Sequence, residues 1–186
     1  MKIKIILILL LVCSYSENLN GQTNNIYIEF LGVGLMGSVN YEKMLVPDKV
    51  FARVSLGYFD IVEKDTFDVF YGTDNYITED KLRITPICLG ANYMVGNKWR
   101  LELGGGIAYW IISYEGESQF YNFDNTEFVV ITGDGNYFNL YSTLGLRYQN
   151  PEGGINFKFG LSPTYAKIEG VQITFNLPHL SIGYSW

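Results

Sequence analysis

From about residue 25 onward the chain alternates apolar and polar side chains at a period of two, and almost nowhere shows the spacing of a helix. Such a period puts successive side chains on opposite faces, which commits the chain to strands with one apolar face. No stretch beyond the first 21 residues holds 18 consecutive apolar positions. A form of this chain that spans a membrane must therefore be a closed barrel, since a barrel without edges satisfies every backbone group in lipid as a helix does.

The alternation predicts eight strands: Asn25 to Leu31, Leu35 to Val46, Val50 to Val62, Leu82 to Val95, Trp99 to Tyr114, Tyr137 to Gln149, Ile155 to Ile168 and Ile173 to Trp186. Pro47-Asp48-Lys49, Gly96-Asn97-Lys98 and Asn150-Pro151-Glu152-Gly153 have the chemistry of short turns. The segments Glu63 to Lys81 and Glu115 to Asn136 read as long polar loops at the other end. Short turns at one end and long loops at the other are the pattern of bacterial outer-membrane barrels, and an even strand count returns both termini to the periplasmic side. Gly32-Val33-Gly34 reads either as the first hairpin turn or as a bend within one long strand, which would leave seven strands. The expected fold is all-β: a closed, antiparallel, up-and-down, eight-stranded transmembrane β-barrel.

One domain, 22–186, is expected behind a signal peptide at 1–21. Lys2 and Lys4 precede the apolar run Ile5 to Val12, and cleavage is expected before Gln22. A lipoprotein reading would cut before Cys13 instead, although Val12 is bulky for that site. Without Lys2, Lys4 and Glu17 the chain's 13 basic and 19 acidic residues become 11 and 18, a charge of −7. That balance argues against nucleic acid as a partner. Cys88 alone remains after cleavage, which excludes an intramolecular disulfide and a cysteine-based metal site; no cofactor is expected.

One face is apolar: Trp99, Leu101, Leu103, Ile107, Tyr109 and Ile111 in the fifth strand; Ile155, Phe157, Phe159, Leu161 and Tyr165 in the seventh; Leu180, Ile182, Tyr184 and Trp186 in the eighth. Alternation alone does not say which face is inside, because a soluble lipocalin-like barrel has the same period. Three features put the apolar face outside. Tyr41, Tyr93, Trp99, Tyr148, Phe157 and Trp186 gather at the turn ends of their strands as an interfacial girdle. The opposite face is small and polar and mixes charges of both signs. The chain also stops on an aromatic residue at the end of an alternating strand.

The ending Leu180-Ser181-Ile182-Gly183-Tyr184-Ser185-Trp186 resembles the terminal strand by which the outer-membrane assembly machinery recognises its clients. Gly37-Ser38-Val39-Asn40-Tyr41-Glu42-Lys43, followed by a tight turn and Arg53-Val54-Ser55-Leu56-Gly57-Tyr58, is similar to the opening strands of small outer-membrane barrels found in Bacteroidota, within the wider OmpA- and OmpX-like superfamily. The resemblance covers most of the chain after the leader. It implies residence in the bacterial outer membrane, contact with its lipid and delivery by that machinery, and it carries no activity.

Glu29, Glu42 and Glu102 with Arg53, Arg100, Arg147 and Lys158 form the expected luminal charge network. Eight strands leave an interior just wide enough for side chains to fill, so these charges are expected to pair as a plug rather than line a narrow solute or ion path. An even turn after Val46 would set Glu42 across from Arg53. His179 and Ser181 share a face and loosely resemble the His and Ser of outer-membrane lipid A deacylases, but they point inward, away from a lipid substrate. Gly104-Gly105-Gly106 lies mid-strand without a following helix and reads as a kink or as room for a bulky neighbour such as Trp110. Cys88 reads as an inert inward thiol. The two loops hold 12 of the 18 acids: Asp60, Glu63, Asp65, Asp68, Asp74, Glu79 and Asp80 around the first, and Glu115, Glu117, Asp124, Glu127 and Asp134 around the second. Phe120, Tyr121, Phe123, Tyr137 and Phe138 are interleaved with the latter. Such a rim is expected either simply to be solvated or to contact an extracellular ligand, with calcium as one candidate. The reading that follows is a non-enzymatic, monomeric barrel with a structural or surface-interaction role. A lipid A-modifying hydrolase, a narrow channel and a soluble binding barrel are its alternatives.

Overall fold

The computed structural model describes residues 24–68, 75–122, 125–168 and 171–186. The expected leader and Cys13 lie outside the described residues. The strands are β1 (Asn24–Leu31), β2 (Gly37–Val46), β3 (Val50–Asp68), β4 (Asn75–Gly96), β5 (Trp99–Asn122), β6 (Asn125–Gln149), β7 (Gly154–Ile168) and β8 (Val171–Ser185), with one 3-10 turn, Gly32–Gly34, between β1 and β2. Each strand pairs antiparallel with the next, and β8 pairs with β1, so the sheet closes as a barrel.

The seal between β8 and β1 runs from Asn25 opposite Ser185 to Leu31 opposite His179. Beyond it, Asn24 and Trp186 each donate a backbone N–H to the other's carbonyl, both at 3.1 Å. The tight turn after β2 is shaped by Pro47, whose ring presets its φ, and by Asp48 at φ +58°, while Lys49 N–H donates to the Val46 carbonyl at 3.1 Å. The turn is odd rather than even, three residues between the paired Val46 and Val50, and a register shift between Met44 and Val46 is what brings Glu42 opposite Arg53.

Gly32-Val33-Gly34 is a turn, which gives the count of eight. It folds inward and leaves Val33 1 % exposed. The turn is strained at its ends, where Leu31 and Leu35 hold φ of 61° and 65°. Because the chain needs Leu35 and Met36 to leave the turn, β2 starts at Gly37 rather than at Leu35.

The larger difference is at the same end. The segments expected as long loops are instead continuations of the strands: β3 and β4 stay paired to Asp68 opposite Asn75, and β5 and β6 to Asn122 opposite Asn125. Polarity of sequence speaks to side-chain burial, whereas backbone pairing needs only two strands in register. β4 and β5 pair as far as Asp80 opposite Gly116, so a common wall of four strands splits there into two hairpins. β1 and β2, at 8 and 10 residues, end far lower than the 24 and 25 of β5 and β6, so the barrel is cut obliquely.

Three prolines sit within strands, two of them where pairing is interrupted. Between β3 and β4 the ladder skips Gly57 and Tyr58 opposite Pro86 and Thr85, and between β6 and β7 it skips Ser142 and Thr143 opposite Pro163 and Ser162. A proline has no N–H to give to a ladder. The third, Pro178, lies just beyond the last β1–β8 pair.

Candidate functional site

The inward face carries the polar chemistry and the outward face the apolar residues. All seven charged residues read as luminal are buried: Glu29, Glu42, Arg53, Arg100, Glu102, Arg147 and Lys158. Outside, Leu101, Leu103, Phe157, Phe159, Leu180 and Ile182 are each more than 40 % exposed. A chain folded for water would reverse this arrangement.

Glu42, from β2, is the centre of the network. One oxygen accepts from Lys158 Nζ at 2.5 Å and Tyr27 Oη at 2.9 Å, and the other lies 2.8 Å from Arg147 and accepts from Asn25 at 3.0 Å. Arg147 also meets Glu102 at 2.7 Å, and Glu102 accepts from Asn92 at 2.6 Å. Lys158 Nζ lies 3.6 Å from the centre of the Tyr27 ring, and the Arg147 guanidinium 5.2 Å from that of Phe51. Although Arg53 faces Glu42 in the ladder, its ion pair is with Glu29 at 2.7 Å, while its Nε donates to Asn40 at 2.9 Å. Glu29, Glu42 and Glu102 thus offset Arg53, Arg147 and Lys158, three charges against three. Arg100 stands apart: it reaches the rim at the turn end and pairs with exposed Asp48 at 3.2 Å.

Sequence reasoning names the charges but not the neutral side chains that complete their bonds, notably Asn25, Tyr27, Asn92 and Gln149. Their signal is parity: Asn25 and Tyr27 alternate with Glu29, and Gln149 lies two residues from Arg147. The glycines make room for this network. A Cβ on Gly104 would collide with the Asn92 and Thr143 side chains, which bond to each other at 3.4 Å. The space above Gly104 is therefore taken by Asn92 and Thr143, while Gly105 and Gly106 let the backbones of Tyr141 and of Leu89 and Gly90 come close.

Apolar layers close the lumen on both sides. Toward the turn end lie Met44, Phe51 and Met94. Toward the hairpin end lie Val33, Ile84, Cys88, Ala108, Trp110 and Tyr141, with Leu35, Phe59, Leu82, Ile112 and Phe175 half-buried above them. Cys88 is wholly buried in this upper layer.

His179 and Ser181 are both inward and buried, but they are not bonded to each other. His179 Nδ1 and Ser162 Oγ of β7 are 2.9 Å apart, and Ser181 Oγ has no hydrogen-bond partner. Register explains this: His179 stands beside Gly160, whose missing side chain lets the ring lean across β7 to Ser162. Ser162 has no exposed surface, so no acyl group reaches the pair.

The residues read as a girdle at the turn end, Tyr93, Trp99, Phe157 and Trp186, are exposed, and Tyr41 and Tyr148 are half-buried. Trp99 packs on Tyr148 at 5.2 Å between ring centres, and Tyr41 Oη donates to Asn24 at 2.7 Å. A second outward ring, which the sequence reading does not name, contains Phe30, Tyr58, Phe138 and Tyr165, with Tyr109 packed on Phe138 at 4.8 Å. Trp99 and Tyr109 are ten residues apart on β5, as are Phe138 and Tyr148 on β6. Ten residues at about 3.4 Å each, on strands tilted by about 40°, span about 25 Å, the height of the apolar band of an outer-membrane barrel.

At the hairpin end the described acids are Asp60, Glu63, Asp80, Glu115 and Asp134. Tyr114 Oη donates to Asp80 at 3.1 Å, and losing that bond on ionisation raises the phenol above its ordinary value. Among the described residues no group of three His, Cys, Asp or Glu could hold a metal ion. The side chains of Asp65, Asp68, Asp74, Glu79, Glu117, Phe120, Tyr121, Phe123, Asp124 and Glu127 lie outside the described residues.

No protein-family model matches the chain, and no curated protein matches it either. Among solved structures it is similar to a major outer membrane protein from Thermus thermophilus, with a TM-score of 0.53, 13 % identity and coverage of 89 % of this chain and 98 % of that one. Weaker similarities join it to the N-terminal β-barrel domain of Pseudomonas aeruginosa OprF (TM-score 0.49, 17 % identity, 90 % and 98 % covered) and to Ail, the attachment invasion locus protein of Yersinia pestis (0.43, 13 %, 89 % and 97 %). At these identities the likeness concerns architecture alone, and it is to eight-stranded outer-membrane barrels in general rather than to a Bacteroidota type. The chain has the fold of a closed, antiparallel, eight-stranded outer-membrane barrel.

Proposed function

We propose that this chain is a non-enzymatic barrel of a bacterial outer membrane, closed to solutes, whose work is done by the hairpins that stand above the bilayer. The observation that carries the reading is the exposed apolar band between two aromatic rings about 25 Å apart. Residues of this kind are stable outside only if lipid covers them. The balanced charge network supports a plugged lumen, because three acids and three bases hold each other between two apolar layers and leave no wetted path. The buried Ser162–His179 pair speaks against lipid hydrolysis.

The same proposal includes export by the leader at 1–21, recognition of Leu180 to Trp186 by the assembly machinery, a monomeric state and a Bacteroidota-type origin for the opening strands. Contact with an external ligand falls to the hairpins of β3–β4 and β5–β6, where acids outnumber bases.

Membrane fractionation tests the location, since a membrane barrel stays in the pellet after a carbonate wash and migrates differently on a gel before and after boiling. Release by carbonate together with no heat shift sinks the reading. Planar bilayers test the plug. The wild-type barrel is expected to give no steady single-channel conductance, and Arg53→Ala to weaken the barrel without opening it; a large conductance from either refutes closure.

A further inference from the structure

The proline gap between β6 and β7 opens on the outward side of the wall. Pro163 keeps its place in the ladder to β8, opposite Asn176, so the nitrogen that lacks a proton is turned toward β6, where the pairing of Ser142 with Pro163 fails. The Ser142 carbonyl is thereby left without its ladder donor, and no described side chain donates to it. Beside it the outer surface carries a groove of about 240 Å³, with Leu140, Ser142, Pro163, Tyr165 and Thr174 in its lining.

This gap lies within the apolar band. Ser142 is four residues inside Phe138 of the upper aromatic ring and six from Tyr148 of the lower one, and Pro163 is two residues inside Tyr165. The row Ser142–Pro163–Asn176 therefore climbs toward the upper ring as it crosses to β8, and it ends on an exposed asparagine amide. In water an idle carbonyl and an exposed amide are satisfied by solvent, whereas hydrocarbon satisfies neither. Polar groups at membrane depth are costly and mark functional contacts. The gap between β3 and β4 idles the Gly57 carbonyl in the same way, but its groove has no side-chain amide beside it.

We infer that this groove seats one acyl chain of an outer-leaflet lipid, a chain joined to its headgroup by an amide and hydroxylated a few carbons further down. The Ser142 carbonyl requires a donor, which the hydroxyl supplies and the ester chain of a glycerophospholipid lacks. Nearer the headgroup, the Asn176 amide pairs with the lipid amide in both directions, its Nδ2 donating to the lipid carbonyl and its Oδ1 accepting from the lipid N–H. Deeper in the band the hydrocarbon runs over the exposed Leu144 and Leu161. The inference rests on the proposed outer-membrane location with the hairpin end outward. The binding itself is measured in micelles and does not depend on cellular location, so fractionation and titration fail separately.

The test follows the 13C resonance of the Ser142 carbonyl and the side-chain amide resonances of Asn176 in the refolded, isotope-labelled barrel. Its micelles are of dodecylphosphocholine, which carries neither hydroxyl nor amide, and the matched probes are N-(β-hydroxymyristoyl)glucosamine, N-myristoylglucosamine and O-myristoylglucose. The hydroxylated amide is expected to shift both sites saturably, and the ester to bind about tenfold more weakly or worse, as the loss of one or two hydrogen bonds requires. N-myristoylglucosamine, without the hydroxyl, should shift Asn176 alone. Pro163→Ala supplies the missing N–H to the carbonyl, so the response of Ser142 should disappear while the barrel keeps its heat shift. Asn176→Leu should weaken the hydroxylated probe about tenfold. The inference is overturned if the hydroxylated amide leaves the Ser142 carbonyl unmoved, if the ester binds as tightly, or if Pro163→Ala leaves the response in place.

Discussion

Glu42 accepts hydrogen bonds from five side chains drawn from β1, β4, β6 and β7, and it faces two cations at once. Removing one member of a buried ionic group leaves an uncompensated charge, which typically costs about 3–5 kcal/mol. Glu42→Gln is therefore expected to lower the unfolding free energy of the refolded barrel by about that amount, read by urea titration in vesicles. Adding Lys158→Met restores the charge balance and should recover most of the loss; no recovery would show that the carboxylate matters as an acceptor rather than as a charge. Gly32 presents a different constraint. Its φ is +73°, and a Cβ there would lie 2.8 Å from a Glu29 carboxylate oxygen and 2.9 Å from His179 Cβ, so Gly32→Ala should cost more than about 1 kcal/mol in the same titration. Which side chains face inward was legible from parity alone, as Arg147 and Lys158 illustrate. Their partners were not, because Glu42 lies 105 and 116 residues from them and the contacts cross the lumen. Alternation within a strand has no bearing on which strands face each other. His179 shows the same limit, since its bond to Ser162 passes over Gly160 and not along its own strand.

Turns and spanning strands follow local rules, so the proline, glycine and asparagine clusters located the short connections. The tall hairpins did not follow, because polar residues of good strand propensity read equally as loop and as strand when the sequence shows no apolar face. That continuation has a measurable consequence. The lumen network is built from residues below the Glu63–Asp80 pair, the β3–β4 ladder above that pair adds backbone pairing, and closure entropy depends only weakly on length. Replacing residues 64–79 by Asn-Gly should therefore leave the urea-unfolding free energy within about 1 kcal/mol of wild type and preserve the heat shift. A larger loss would mean that the hairpin props the barrel. The turn at Gly32–Gly34 lay at the limit of what sequence conveys: its glycines marked a break in the strand, but its inward fold depends on β1 and β2 being short enough for Val33 to reach the upper apolar layer.

As a whole, the molecule inverts the distribution of a protein folded for water: its charges are gathered and balanced within, and its apolar side chains face outward. The interior contributes no net charge through its six paired ions, so the chain's acidic excess lies elsewhere, and much of it falls in the hairpin segments. The paired backbone bonds between Asn24 and Trp186 carry a further meaning. Hydrogen-bonded to each other in both directions, Asn24 and Trp186 make the barrel wall a continuous ring across β1 and β8, and the order in which the chain threads its strands is arbitrary with respect to the sheet. Bridging Trp186 to Asn24 with a short Gly-Ser linker and reopening the ring at Asn97-Lys98 should give a permutant with the same heat shift and nearly the same stability. Its folding rate need not be preserved, since the pairing that now spans the greatest sequence distance would become the most local.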